Sequence, residues 1–203
     1  MSEVALYGGS FDPIHSGHIE PVLEARRQLG LDRVYYLPTA RPPHKPGRQF
    51  ATSHARLTMV ELSLLDQPDL MVLPVELTPG QVAYTVESVE YFRRAFPDDK
   101  LTLLVGGDSF VRFTSWRRWR DILRVARLAV LIRPGWELER LQAELPAPLA
   151  ELAAEGGIDF VANQPVEFSS TQLREAFALG QEPPSGAMHP LVVEYIRKYS
   201  LYR

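Results

Sequence analysis

Short apolar runs alternate along this chain with stretches in which apolar residues recur at helical spacing. Six runs fit buried strands, and in chain order they are Val4–Tyr7, Val34–Leu37, Met71–Leu73, Leu101–Val105, Leu128–Ile132 and Ile158–Val161. Between them, spacings of three or four residues predict helices, as at Leu57, Val60 and Leu64. Continuous apolar strands separated by helices predict an α/β fold, with a parallel sheet covered by helices on both faces.

The length of 203 residues, with 45% hydrophobic and 23% charged residues, fits one globular domain. We therefore expect a single domain over residues 1–203, with a small C-terminal helical region over about residues 168–203. Within that region, the apolar residues between Pro190 and Tyr199 share one helical face, which fits a helix docked on the core. Part of this helix is also suited to pairing with a second subunit, so a homo-oligomer stays open.

Composition excludes several classes of site. The sequence has no cysteine, which excludes disulfides, thiolate zinc sites, iron–sulfur clusters and cysteine nucleophiles. A net charge of -3 gives no general attraction to nucleic acid or to an anionic membrane. The longest apolar run, Leu128–Ile132, is too short to span a bilayer, and the N-terminus lacks the pattern of a secretory signal. These features are compatible with the cytoplasmic location that we expect.

The first predicted strand runs into Gly8–His18, which reads Gly-Gly-Ser-Phe-Asp-Pro-Ile-His-Ser-Gly-His. Glycines at a strand end let the backbone approach a ligand closely. His15 and His18 are three positions apart at the start of a predicted helix, a spacing that can aim both imidazoles at one point. The helix start adds unpaired backbone N–H groups and partial positive charge, and Gly17 leaves room for phosphates. Together these features predict a phosphate site.

Two other segments follow predicted strands, where ligands bind in parallel sheets. Residues 39–56 carry four Lys or Arg residues, two His and no acid, which makes either a phosphate-binding patch or a solvated basic loop. Gly106 and Gly107 precede Asp108, which is suited either to bind ribose hydroxyls or to cap a helix.

A third segment, Phe168–Arg174, follows the last predicted strand. Ser169 or Ser170 is suited to cap the helix that follows, and Arg174 then lies one turn in, near an anion at the helix start. A capping run followed by an arginine is also common in helices that bind nothing, so the segment alone leaves both interpretations open.

The Gly8–His18 string resembles the first motif of the nucleotidyltransferases that carry His-x-Gly-His, and especially of bacterial nicotinate-nucleotide adenylyltransferases. Ser10 stands where that family more often has Thr. The Pro-Pro-His-Lys string within Arg41–Arg48 resembles the same family, and Phe168–Arg174 resembles its second signature, Ile-Ser-Ser-Thr-x-x-Arg, with Phe168 in place of Ile. The resemblance spans residues 4–203 and implies that the α/β sheet is Rossmann-like.

The resemblance implies in-line transfer of the adenylyl group of ATP to nicotinate mononucleotide, without a covalent intermediate, giving nicotinate adenine dinucleotide and pyrophosphate. It implies catalytic roles for His15, His18, Lys45 and Arg174. It assigns ATP binding to Gly8, Gly9, Ser10, Phe11, His15, His18, Lys45, Gly106, Asp108, Ser169, Ser170, Thr171 and Arg174. It assigns nicotinate mononucleotide binding to Gly9, Asp12, His44, Lys45, Tyr84, Thr85, Trp116 and Arg133. Mg²⁺ is expected to arrive with ATP, with no metal ligands from the protein.

Four alternatives remain open at this point. The nearest is a related transferase whose acceptor is nicotinamide mononucleotide, phosphopantetheine or glycerol phosphate. The second is a nucleotide-binding module without catalysis. The third is a zinc hydrolase built on His15, His18, His44 and His54, although no Glu stands beside these histidines to act as a general base. The fourth, nucleic-acid binding, is disfavoured by the negative net charge.

Overall fold

The sheet has six strands in the order β3-β2-β1-β4-β5-β6. The computed structural model describes residues 1–39, 50–77, 84–132, 145–164, 166 and 168–203. The strands are β1 (Glu3–Gly9), β2 (Arg33–Pro38), β3 (Leu70–Val72), β4 (Lys100–Gly106), β5 (Arg127–Ile132) and β6 (Ile158–Ala162). The helices described are α1 (Ser16–Leu29), α2 (Ser53–Ser63), α3 (Thr85–Ala95), α4 (Gly107–Phe110), α5 (Trp119–Val125), α6 (Ala147–Ala154), α7 (Ser170–Ala178) and α8 (Pro190–Lys198).

The predicted α/β fold is confirmed, and each of the six predicted strands is present within one or two residues of its expected bounds. β4 pairs in parallel with β1 and β5, and β5 pairs in parallel with β6. Their carboxyl ends therefore lie along one edge of the sheet, where ligands of such folds bind. The short helices α4 and α5 and a 3₁₀ turn at Phe113–Ser115 were not predicted.

The described residues form two compact units that alternate along the sequence. The first unit comprises Met1–Gly8, Pro21–Tyr35 and Tyr84–Pro165. Its core contains β4 and β5, in which consecutive side chains such as Leu103 and Leu104 are both buried. Such strands are apolar on both faces because helices cover both sides.

The second unit comprises Gly9–Glu20, Tyr36–Ala83 and Val166–Arg203. Its core includes fully buried aromatic and aliphatic side chains, among them Phe11, Ile14, Tyr36 and Met59. Helix α2 packs against α8 in this unit, so the C-terminal helix docks as its apolar face predicted. Whether residues 1–203 act as one domain stays a prediction.

Candidate active site

The two histidines of the first motif lie side by side at the start of α1. Their ring centroids are 4.0 Å apart, and the ring of Phe11 contacts His18 edge-on at 5.3 Å. The backbone N–H of Gly17 donates to His15 Nδ1 at 3.0 Å. An imidazole nitrogen that accepts a hydrogen bond carries no proton, so neutral His15 holds its hydrogen on Nε2. His15 is therefore the tautomer whose Nε2–H donates, as contact with a phosphate oxygen requires.

Two glycines of the motif are required by neighbouring aromatic rings. A Cβ on Gly9 would lie 2.7 Å from the ring of Phe11, and a Cβ on Gly17 would lie 2.8 Å from the ring of His15. The motif also predicts that Gly17 leaves space for phosphates, and this stays a prediction. Among the described residues, Gly17 accommodates and orients the catalytic candidate His15.

The expectation that the start of α1 presents unpaired backbone N–H groups is wrong for its first three residues. Ser16 N–H donates to the carbonyl of Ala187 at 2.8 Å, and His18 N–H donates to the carbonyl of His15 at 2.7 Å. Gly17 N–H is engaged by His15, as described above. The acceptor Ala187 is remote in sequence, so the motif alone gives no sign of it. Within the described residues, α1 therefore contributes imidazole donors to the site more than backbone donors.

The second signature begins α7, and its first residue after Phe168 caps that helix. Ser169 is the N-cap, since its Oγ accepts from Gln172 N–H at 3.3 Å and Gln172 Oε1 accepts from Ser169 N–H at 3.0 Å. This reciprocal pair is a capping box. The prediction of a cap at Ser169 or Ser170 is thereby resolved in favour of Ser169. An ATP contact at Ser169 stays a prediction, and it would have to coexist with the cap.

The cap is followed by three residues that connect α7 to the first motif, Ser170, Thr171 and Arg174. The Ser170 hydroxyl donates to the carbonyl of Pro13 at 3.0 Å. Arg174 donates from Nη1 to the carbonyl of Asp12 at 2.6 Å and from Nη2 to Thr171 Oγ1 at 3.0 Å. The two sequence motifs, more than 150 residues apart, are therefore hydrogen-bonded to each other.

Two buried residues of opposite charge, Asp12 and Arg56, lie at this motif, each with about 1% of its surface exposed. Arg56 donates to the carbonyls of Ser10 at 2.7 Å and Ala51 at 3.1 Å. Burial lowers the pKa of Arg56, and the negative charge of Asp12 opposes that shift. In the sequence, Arg56 stands out only as one charge of the basic segment 39–56. The structure shows a residue that fixes the backbone of the motif.

Residues predicted to bind ribose lie in the first unit. Gly106 ends β4, and Asp108 lies in the first turn of α4 with an exposed side chain. The alternative that Asp108 caps a helix is wrong, because the N-cap of α4 is Gly106. A Cβ on Gly106 would lie 2.9 Å from Asp108 Oδ1, so the glycine leaves room for this carboxylate. A Cβ on Gly8, by contrast, would meet no atom of the described residues within 4 Å.

Part of the predicted acceptor pocket also lies in the first unit. Tyr84 is the N-cap of α3, and Thr85 is the first residue of that helix. The guanidinium of Arg117 lies 4.6 Å from the centroid of the Tyr84 ring, within cation–π range. Trp116, next to Arg117 in the chain, is half-buried against Phe113 with ring centroids 5.1 Å apart. The Tyr84–Thr85 and Trp116 segments are thus brought together.

Three predicted residues, His44, Lys45 and Arg133, lie outside the described residues. Among the helices that are described, none has the length and apolar character needed to cross a membrane.

The paired histidines, the arginine-bearing second signature and the parallel sheet are the features of a nucleotidyltransferase. The sequence model of the cytidylyltransferase-like family matches residues 6–176. A probable nicotinate-nucleotide adenylyltransferase of Aeromonas hydrophila is 38% identical, with 98% of this chain and 97% of the relative aligned. A relative of the same name from Neisseria meningitidis is 33% identical, with 100% and 99% aligned. The chain therefore belongs to the nicotinate-nucleotide adenylyltransferase family.

The fold is also that of a solved relative. The structure of Plasmodium falciparum nicotinic acid mononucleotide adenylyltransferase complexed with NaAD superposes with a TM-score of 0.77. The two sequences are 18% identical, and the match covers 100% of this chain and 98% of the other. This likeness establishes the Rossmann-like architecture that the motifs implied.

Proposed function

We propose that this protein transfers the adenylyl group of ATP to nicotinate mononucleotide, giving nicotinate adenine dinucleotide and pyrophosphate. The observation that carries the proposal is the oriented His15–His18 pair, hydrogen-bonded through the motif backbone to the start of α7. An acceptor phosphate oxygen attacks the α-phosphorus in line, and the bond from that phosphorus to the β-phosphate oxygen breaks. The attacking oxygen is already anionic at neutral pH, so the step needs no general base. Catalysis then consists of positioning two anions and stabilising the charge of the transition state.

His15 and His18 donate hydrogen bonds to the α- and β-phosphates in this proposal. Arg174 neutralises the leaving pyrophosphate, and Thr171 together with the first backbone N–H groups of α7 binds its oxygens. Arg174 is suited to this role because its side chain is only 18% exposed and is held by two hydrogen bonds. We assign Lys45 to the same phosphates on the resemblance alone.

The remaining assignments concern the two nucleosides. Gly106 and Asp108 bind the ribose of ATP, while Gly8, Gly9, Ser10 and Phe11 line its phosphates. Tyr84, Thr85 and Trp116 bind the nicotinate ring, for which the half-buried indole of Trp116 offers a stacking face. Asp12 is better suited to support the motif than to contact the acceptor, because its carboxylate is buried and hydrogen-bonded within the protein. A cytoplasmic location stays a prediction from composition.

Mg²⁺ is proposed to enter as part of the substrate MgATP. Within the described residues, no three His, Cys, Asp or Glu side chains are placed to hold a metal ion. The one carboxylate of the Gly8–His18 motif, Asp12, accepts from Ala51 N–H and from the Tyr202 hydroxyl. Phosphate oxygens and water are therefore better suited to coordinate the ion than these side chains.

The reaction is tested by measuring pyrophosphate release from MgATP with four separate acceptors. These are nicotinate mononucleotide, nicotinamide mononucleotide, phosphopantetheine and glycerol phosphate. We expect rapid release with nicotinate mononucleotide. Comparable release with the amide would mean dual specificity, and release with another acceptor alone would overturn the acceptor assignment. No release from a folded protein that binds ATP would favour a binding module.

The role of His18 is tested by His18→Ala in the same assay. Loss of one transition-state donor lowers kcat by about 10²-fold or more. His54→Ala is a matched control, because His54 is an exposed residue of α2 with no assigned role. A folded His18→Ala protein with turnover like that of the control would contradict the assignment.

A further inference from the structure

Asp12 is contacted by donors from three distant segments of the second unit. Its Oδ1 accepts from Ala51 N–H at 3.1 Å and from the Tyr202 hydroxyl at 2.8 Å. Its backbone carbonyl accepts from Arg174 Nη1 at 2.6 Å. Its Oδ2 accepts no hydrogen bond within the described part of the chain, and it lies 3.8 Å from Arg174 Nη1. The same guanidinium that is proposed to bind pyrophosphate thus lies within ion-pair distance of a buried carboxylate.

Tyr202, the second-last residue of the chain, reaches this carboxylate through an irregular backbone. Ser200 and Tyr202 have φ values of 51° and 66°, in the left-handed region that non-glycine residues rarely adopt. The ring of Tyr202 packs against Phe177 of α7, with centroids 6.5 Å apart. Burial, followed by the negative charge of Asp12, raises the pKa of the Tyr202 hydroxyl, so it stays protonated and donates. The end of the chain is therefore held in a specific conformation with its hydroxyl on Asp12.

We propose that Tyr202 is a positioning residue for ATP, whose hydroxyl holds the Asp12 carboxylate and thereby keeps Arg174 in the orientation that binds the nucleotide phosphates. This inference rests on the proposed function. Without the hydroxyl, Oδ1 keeps the hydrogen bond from Ala51 as its one donor within the described residues, so the negative charge of the carboxylate is less stabilised and the group is freer to rotate. A buried carboxylate in that state pairs more tightly with the nearest cation, which is already 3.8 Å away in Arg174. Arg174 would then be drawn from phosphate toward Asp12.

The test begins with Tyr202→Phe, which removes the hydroxyl and keeps the ring against Phe177. Tyr199→Phe is the control, because Tyr199 also follows helix α8 and loses the same hydroxyl, but its side chain is 56% exposed. We expect Tyr202→Phe to raise the KM for ATP about tenfold, the size of one charge-assisted hydrogen bond, with a much smaller change in kcat. The control keeps the wild-type KM. Equal KM values in the two variants would overturn the proposal.

A double variant separates positioning from a general loss of structure. If Tyr202 acts through Arg174, Tyr202→Phe has no further effect on the KM for ATP in an Arg174→Ala background. If Tyr202 has only a structural role, Tyr202→Phe raises the KM for ATP by the same factor in both backgrounds. Such additive effects would refute the proposal. Thermal unfolding of every variant is recorded alongside.

Equilibrium ATP binding, measured by calorimetry on the same proteins, makes the test independent of the acceptor. If wild-type protein releases no pyrophosphate with any acceptor, the proposed function fails, but the Kd for ATP still compares Tyr202→Phe with Tyr199→Phe. A Kd about tenfold weaker in Tyr202→Phe alone supports the inference. An unchanged Kd together with normal turnover refutes it and leaves the proposed function standing.

Discussion

Replacing Arg56 with Met tests whether the buried guanidinium holds the first motif together. Arg56 is about 1% exposed and donates to two backbone carbonyls, those of Ser10 and Ala51. Met fills much of the same volume, so the change removes charge and donors without opening a large cavity. Both carbonyls then lose a buried donor, and Asp12 loses a compensating positive charge.

The expected loss follows from those contacts. A hydrogen bond to a charged group contributes about 1.5–3 kcal/mol, and Arg56 makes two of them. Together the two bonds contribute about 3–6 kcal/mol, and Asp12 in addition loses the attraction of the Arg56 charge. We expect Arg56→Met to lower the free energy of unfolding by about 3–5 kcal/mol, a large part of the stability of an ordinary domain.

Urea denaturation followed by circular dichroism measures this loss. Arg124→Met is the matched control, since Arg124 makes its ion pair with Asp121 on the surface, with a side chain that is 75% exposed. Water screens such a pair, so the control should unfold close to the wild-type midpoint. Arg56→Lys keeps the charge but lacks the planar guanidinium that donates to both carbonyls. Its free energy of unfolding should therefore lie between those of wild type and Arg56→Met. A loss below about 1 kcal/mol in Arg56→Met would refute the reasoning, because it would mean that the buried hydrogen bonds contribute almost nothing.

Two further predictions follow from the motif and from the chain end. Gly17→Ala adds a Cβ that would lie 2.8 Å from the His15 ring, so kcat should fall by about tenfold or more. Helix propensity alone predicts the opposite kind of effect, a gain of about 1 kcal/mol in the free energy of unfolding. Unchanged turnover would show that His15 tolerates the displacement. Tyr202, whose folded pKa is raised, stabilises the protein fully below the unfolded tyrosine pKa of about 10, and this stability is lost progressively above it. Urea denaturation at several alkaline pH values should therefore show a weaker pH dependence in Tyr202→Phe than in wild type, and identical slopes would contradict the prediction.

The strands could be predicted from sequence because their signal is local. Each strand is a short apolar run in the sequence. Because both of its faces are buried, polar residues do not alternate with apolar ones along it. Helices α4 and α5 have four and seven residues, too few for a helical period to stand out. The histidine pair was also predicted correctly as a neighbouring pair, because one helical turn separates its members.

The hydrogen-bond partners of the motif could not be predicted, because they are remote in sequence. Tyr202 reaches Asp12 across 190 positions, and Ser170 reaches Pro13 across 157. The supposed free N–H of Ser16 is taken by Ala187 for the same reason. A motif shows which residue types meet a ligand, but the acceptors and donors that already satisfy them come from the tertiary fold.

These remote hydrogen bonds bear on which groups of the second signature are expected to bind phosphate. The hydroxyl proton of Ser170 is donated to Pro13, and that of Ser169 to Gln172, so an ATP contact at either serine, which stays a prediction, would use its oxygen or replace that hydrogen bond. Thr171 differs, because its oxygen accepts from Arg174 and its own proton has no acceptor among the described residues. The first N–H groups of α7 have no acceptor within the helix. For the proposed phosphate site, this arrangement favours backbone N–H groups, Thr171 and Arg174 as the groups that bind the ligand, with the two serines holding the helix start in place.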